Sequence, residues 1–327
     1  MYKIVVIKDS KGHDITKLVA KVEWGGRKGA APRNLKITML DDTAEKGRRI
    51  KIDCEKGYHC IFYENGKEKF RGIIVEQGQD QSKKMTFTAY DNLFYLANNK
   101  DSFTFKKKRA DQIFKGVLKR AGMKGSAVNT KHVIKKLTTS KTTFFDTIMQ
   151  AVSKTYKKTG ERFYVYSDKG VIYLKRRKEK TLQWVLEVGE NITAYSYSKS
   201  ISNVKTRIKL LSSKEAVVAK AVNNSLEKKI GILGDVQSVD KGTKKSQAKK
   251  DAANMLNEAC IPKKSLSVTG IGITEAISGC CVFIIIPHLG IKRAFFIDED
   301  SHTWEGNKHT MKLTLNYAKD IDSIEQS

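Results

Sequence analysis

Ile61-Phe62-Tyr63-Glu64-Asn65-Gly66-Lys67, followed after Glu68 and Lys69 by Phe70-Arg71-Gly72-Ile73-Ile74-Val75, sets two apolar runs on either side of an Asn-Gly pair. Asn and Gly tolerate positive φ at both central turn positions, and such a turn twists the way its flanking strands do. The stretch therefore predicts a β-hairpin. Outward from it, Leu35, Ile37 and Met39 alternate with Asn34, Lys36 and Thr38, the period of two of a half-buried strand. Met85, Phe87 and Ala89 fall on one face of a further strand, with Lys84, Thr86 and Thr88 on the other. Short strands and tight turns through residues 1–96 predict a small barrel or sandwich.

The period then changes. Ala110, Ile113, Phe114, Val117, Leu118 and Ala121 recur at helical spacing, with Gly122 placed to end the helix. Phe144, Phe145, Ile148, Met149 and Val152 mark a second helix with Thr142 or Thr143 as N-cap. Phe163 to Tyr166 and Val171 to Leu174 flank Ser167-Asp168-Lys169-Gly170, a second hairpin. Residues 97–190 thus read as an α+β domain. Beyond it, Val204, Thr206, Ile208 and Leu210 alternate with Lys205, Arg207 and Lys209, which gives one strand a wholly basic face. Such a face must meet water or acids rather than a dry core. Residues 244–259 form a helix whose stripe is Ala248, Ala252, Met255, Leu256 and Ala259. Strands over 282–286, 294–297 and 311–317 close the chain. The fold class expected is mainly β: two β domains, 1–96 and 191–327, bracket the α+β domain at 97–190, and the second carries a helical insertion around 212–265.

Net charge is +27 over 327 residues, and residues 97–190 hold 23 basic against 8 acidic groups, or +15 of it. That field implies an acidic or polyanionic partner, or serves solubility. The compact runs Lys106-Lys107-Lys108-Arg109 and Lys175-Arg176-Arg177-Lys178 stand beside Phe103, Phe105 and Tyr173, a composition shared with single-strand nucleic-acid binders. No zinc finger, helix-turn-helix or RNA-recognition motif accompanies them. No apolar run approaches the roughly 20 residues needed to cross a bilayer, and the N-terminus carries no signal-peptide pattern. Folding in a cytoplasm, without membrane contact, is expected, and five cysteines without a CxxC read as free, mostly buried thiols.

The motifs of bond chemistry fail one by one. Gly270-Ile271-Gly272 lacks the third glycine of a dinucleotide loop and reads as a glycine turn. Gly242-Thr243-Lys244-Lys245-Ser246 lacks phosphate-loop spacing, and no GxSxG elbow or HExxH helix occurs. His288, His302 and His309 near Cys280 and Cys281 match no zinc spacing, and Asp298-Glu299-Asp300 reads as a solvated turn. No catalytic residue, metal ligand or cofactor-binding residue is assigned.

The order of landmarks, rather than any single one, resembles a known family. Trp24-Gly25-Gly26-Arg27-Lys28-Gly29-Ala30-Ala31-Pro32-Arg33 before the Leu35 strand, Phe70-Arg71-Gly72-Ile73-Ile74-Val75-Glu76, and Thr88-Ala89-Tyr90-Asp91-Asn92-Leu93-Phe94-Tyr95-Leu96 are similar to successive landmarks of the XkdQ/YqbQ family. Those are tail hub proteins of PBSX-like contractile phages and phage-tail-like bacteriocins. Ala110 to Phe114, Asn191 to Ser198 and Phe296 to Trp304 continue the match in the same order.

The resemblance implies a homotrimeric baseplate hub whose subunits each contribute two β-barrel-like tube domains. Three copies of two similar domains match a six-fold tube where three copies of one cannot. It further implies the tail tube protein on one face, the spike or tip protein on the other, a LysM-containing baseplate protein as a neighbour and the tape measure protein as a possible one. Assembly would take place in the bacterial host cytoplasm, with release on lysis, and there would be no enzymatic activity. Trp24 and Arg27, with the turn that follows them, and the basic face Lys205, Arg207 and Lys209 are the candidate interface residues. The alternative is a basic nucleic-acid-binding module.

Overall fold

Asn65 and Gly66 take φ of 49° and 74°, as the dipeptide requires, in the computed structural model of the chain. The structure describes residues 1–40, 54–81, 84–177, 181–239 and 242–316. The strands joined by this turn, β5 (His59–Glu64) and β6 (Lys67–Gln79), lie in one sheet with β1 (Tyr2–Lys8), β2 (Lys11–Asp14), β3 (Val19–Arg27), β4 (Asn34–Leu40) and β7 (Lys84–Tyr90). Their order is β3-β4-β7-β6-β5-β1-β2, with antiparallel pairing throughout. Leu35, Ile37 and Met39 point into the core as their alternation predicts. They pack with Phe62, Phe87 and Trp24, each such side chain contributing about 1.5–3 kcal/mol by leaving water.

After α1 (Leu93–Asn98), β8 (Lys100–Arg109) pairs with β10 (Val133–Thr143) as an antiparallel ribbon. Between them lie α2 (Ala110–Arg120) and β9 (Gly125–Ala127), and α3 (Phe144–Thr159) follows. The predicted stripes are the buried ones: Ile113, Phe114 and Val117 on α2, and Phe145, Ile148 and Val152 on α3. Gly122 turns the chain out of α2 at φ 66°. The Thr143 hydroxyl caps α3, accepting from the Asp146 amide at 2.9 Å. The hairpin of β11 (Phe163–Asp168) and β12 (Val171–Arg176) completes a three-stranded sheet with β9. Its turn residues Lys169 and Gly170 have φ of 48° and 80°.

The last strands are β13 (Thr181–Glu187) and β14 (Ile192–Ser200), then, beyond the insert, β18 (Lys263–Ile271), β19 (Cys281–Ile286), β20 (Ile291–Glu305) and β21 (Lys308–Asn316). Tyr317, the last residue of the expected closing strand, lies outside the described residues. β20 runs for 15 residues and pairs with β19, β21 and β3. Through β3 and β20 the first and last β regions become one 13-stranded sheet. Asp298-Glu299-Asp300 is therefore not a solvated turn. It lies inside β20 at a bulge between Ile297 and Glu299, and Asp300 is 2% exposed. Nor is Gly270-Ile271-Gly272 a plain turn. Gly270 is next to last in β18, where a side chain would strike the Asn191 carbonyl, and Gly272 lies against the His309 ring.

The chain divides into two compact units: Met1–Tyr195 with Ser267–Ser327, and Ser196–Leu266. The second is built on β15 (Arg207–Leu211), β16 (Val217–Val222), α4 (Asn224–Ile230), β17 (Gly234–Ser238) and α5 (Lys245–Ala259), with sheet order β16-β15-β17, and takes in the end of β14 and the start of β18. Where a helical insertion was expected, this segment is a small α/β unit. Ala248, Ala252 and Leu256 of α5 bury against Ile208, Leu210 and Ala219.

Candidate assembly interface

The loop from Trp24 to Arg33 is built around one arginine. Arg33 folds back over β3, and its guanidinium sits 4.4 Å above the Trp24 ring. A side chain on Gly26 would overlap the Arg33 side chain, so the glycine opens the space that Arg33 fills. Nη1 and Nη2 donate to the two carboxylate oxygens of Asp300 at 2.8 and 2.6 Å. The Ser278 amide donates to the same carboxylate at 2.6 Å. Burial opposes the Arg33 charge, but the adjoining Asp300 carboxylate outweighs it and leaves the pKa above the usual guanidinium value. The two-pronged geometry is the one arginine supplies and lysine cannot.

Around this pair lies a buried polar seam. His302 is wholly buried and faces Asp300, with Nε2 3.6 Å from the carboxylate. Burial pushes its pKa down to about 4, against the pull of Asp300. Neutral His302 carries its proton on Nε2, since the Ala276 carbonyl 3.2 Å away can only accept. Its bare Nδ1 then accepts from His309 Nε2 at 3.2 Å. Glu64, at the hairpin turn, accepts from Trp304 Nε1 at 3.1 Å and from the Thr274 hydroxyl. The indole of Trp304 stacks on His309 at 4.0 Å. Beside the seam, Asp91 is 3% exposed. One of its oxygens accepts from the Leu93 amide, and the other has no hydrogen-bond partner among the described residues. Burial pushes the Asp91 carboxyl up to about 7.

These residues back a cleft of about 520 Å³, which Trp24, Arg27, Lys28, Arg33, Asp91 and Tyr166 help to line. Trp24 is only 4% exposed, so its side chain belongs to the core and shapes the loop instead of meeting a neighbour directly. Arg27 is open: its side chain is 72% exposed, and its acid, Glu299, lies at 3.9 Å. In the second unit the basic face is divided by roles. Lys209 is exposed and Lys205 half-buried, whereas Arg207 is held by Glu227 at 2.6 and 2.8 Å. Of the run at 175–178, Arg177 is fully buried over Phe296 at 4.2 Å, and Lys178 lies outside the described residues. All five cysteines are free, four of them buried. Among the described residues no group of three His, Cys, Asp or Glu could hold a metal ion, and no helix is long and apolar enough to cross a membrane.

The YQBQ-like family model matches residues 22–316, from β3 to the end of β21. The chain belongs to the YQBQ-like family. It is 34% identical over 320 residues to the phage-like element PBSX protein XkdQ of Bacillus subtilis (strain 168), covering 96% of this chain and 97% of the relative. Its fold is shared with the 43 kDa tail protein of prophage MuSo2 from Shewanella oneidensis, with a TM-score of 0.73, 14% identity, and 98% and 99% of the two chains covered. It is shared also with the E. coli c3393 protein, a component of the type VI secretion system. There the TM-score is 0.55 at 9% identity, over 94% of this chain and 76% of that one. By family this YQBQ-like chain is thus a relative of a phage-like element protein, and by fold it is a mainly β structure shared with phage tail proteins. The Trp24–Arg33 loop and the Phe296–Trp304 stretch, two of the sequence landmarks, are the two sides of the Arg33–Asp300 pair.

Proposed function

We propose that this chain is the structural hub subunit of a contractile tail baseplate, belonging to a phage or a phage-tail-like bacteriocin. Three copies form a ring with quasi-six-fold symmetry that joins the tail tube to the spike or tip. In this reading residues 1–96 and 191–327 are two β-barrel-like tube domains around the α+β domain at 97–190. The seam between β3 and β20 carries the reading. Two β regions of one subunit must hold a fixed spacing if three subunits are to match a six-fold tube, and a shared sheet closed by a buried ion pair supplies that rigidity. The relation to XkdQ over 96% of the chain supports it. So does the fold shared with c3393, a protein with structural similarity to the T4 bacteriophage tail proteins gp27 and gp5.

The tail tube protein, the spike or tip protein, a LysM-containing baseplate protein and the tape measure protein are the proposed neighbours. Arg27, Lys205 and Lys209 are the proposed contact residues, with Trp24 holding the loop that presents Arg27. Mechanism here means a platform and channel without bond chemistry, assembled in the bacterial cytoplasm and released on lysis. Light scattering on the purified chain, alone and with the tail tube protein, tests the ring. A trimer that binds tube protein supports the reading; a monomer in both conditions goes against it.

A further inference from the structure

The β8–β10 ribbon carries a charge pattern that the hub reading does not use. Lys106, Lys107, Lys108, Lys135 and Lys136 are all exposed, and Lys106 stands directly opposite Lys136 in the ladder. Like charges facing each other across a sheet destabilise it, so the fold tolerates this arrangement at a cost. Three acids of this region are paired with arginines, Asp101 with Arg120, Asp111 with Arg109 and Glu161 with Arg176, and Asp146 accepts from the Thr143 hydroxyl. Among the described residues none of the five lysines lies within 4.0 Å of a carboxylate.

The composition of the patch decides its partner. Protein interfaces are depleted of lysine at their centre and anchored by aromatic residues, methionine or arginine. This ribbon offers lysines and one exposed apolar side chain, Val133. Single-strand binders need open aromatic platforms. Phe103 and Phe105, which alternate with the polar residues of β8, stack on each other and pack against the helical core, Phe103 edge-on to Phe144 at 5.4 Å. What remains is a row of mobile point charges with no means of reading a base. We infer that the β8–β10 ribbon binds the phosphate backbone of duplex DNA without sequence preference. The inference stands whether or not the chain is a hub.

The test is the affinity of the full-length chain for a labelled duplex of mixed sequence, measured between 50 and 200 mM salt. Each phosphate contact contributes about 0.9 to the slope of log affinity on log salt. Replacing Lys106, Lys108, Lys135 and Lys136 by Gln should make that slope shallower by about 3.6, so the loss of affinity across this range shrinks by about 150-fold. The corresponding Lys→Arg variant should keep the original slope. A control in which Lys228, Lys245, Lys249 and Lys250 become Gln removes the same charge elsewhere and should leave the slope unchanged. Equal loss from ribbon and control variants overturns the inference. So does tighter binding of single strands that the ribbon variant leaves intact, or displacement of the duplex by polyglutamate at equal charge concentration.

Discussion

Arg33 and Asp300, 267 residues apart in the chain, form a two-pronged ion pair with N···O separations of 2.8 and 2.6 Å. The pair joins the loop between β3 and β4 to the middle of β20, beside the strand pairing that unites the two β regions. Removing one partner leaves the other charged and buried, which typically costs about 3–5 kcal/mol. Arg33→Met and Asp300→Leu should each lower unfolding stability by that order in urea titrations. The double variant should lose clearly less than the sum, because no unpaired charge remains.

Two buried groups of opposite sense govern the acid behaviour of this region. Asp91, raised from 3.8 to about 7, binds a proton more readily folded than unfolded, so its contribution falls as pH rises between those values and is flat above. His302, lowered from 6.5 to about 4, binds a proton less readily folded, so its contribution rises from about pH 4 to 6.5. His309, also lowered by burial, acts in the same direction as His302. The opposing slopes overlap between pH 4 and 6.5. In Asp91→Asn the falling component disappears, and stability should climb with pH across that window by a few kcal/mol more than in the parent chain. Chemical denaturation at pH 4.5, 5.5, 6.5 and 7.5 checks this.

Gly72 and Gly78 lie on the same strand in different surroundings. A methyl group at Gly72 would fall on the Tyr90 carbonyl, a backbone atom with no room to move, whereas at Gly78 it meets only the Thr86 hydroxyl at 3.5 Å. Gly72→Ala should cost about 1–3 kcal/mol by overpacking. Gly78→Ala should be close to neutral. Paired thermal melts distinguish the two.

The basic face of the second unit separates into a structural and a surface part. Arg207→Glu would set a carboxylate against Glu227 and should lower the melting temperature. Lys205→Glu with Lys209→Glu should leave melting unchanged while reducing the yield of assembled particles. Normal particle yield from that double variant removes these lysines from the interface.

What the sequence made legible was local. The Asn65-Gly66 turn, the α2 and α3 stripes and the alternation of Leu35, Ile37 and Met39 depend on neighbours a few residues away, and each formed as read. What it concealed depends on distant partners. Asp298-Glu299-Asp300 looks solvated until Arg33 is brought to Asp300, and three acids in a row hide the continuity of β20. Arg177 sits in a basic run, yet it is buried because Phe296 and the Ile297 carbonyl receive it. β16 and β17 are short and weakly patterned, so of the unit they build with α5 only the strand through Ile208 and Leu210 and the α5 helix were legible. The His302–His309–Glu64 seam gave no signal, since its spacing in the chain follows from strand register and from no motif.

Quantitative mass spectrometry of sedimented particles from the producing bacterium, normalised to the tail tube protein, tests the central claim most directly. The hub reading predicts this chain at a low fixed copy number, about three per particle from the symmetry argument. Its absence from intact particles would contradict that reading.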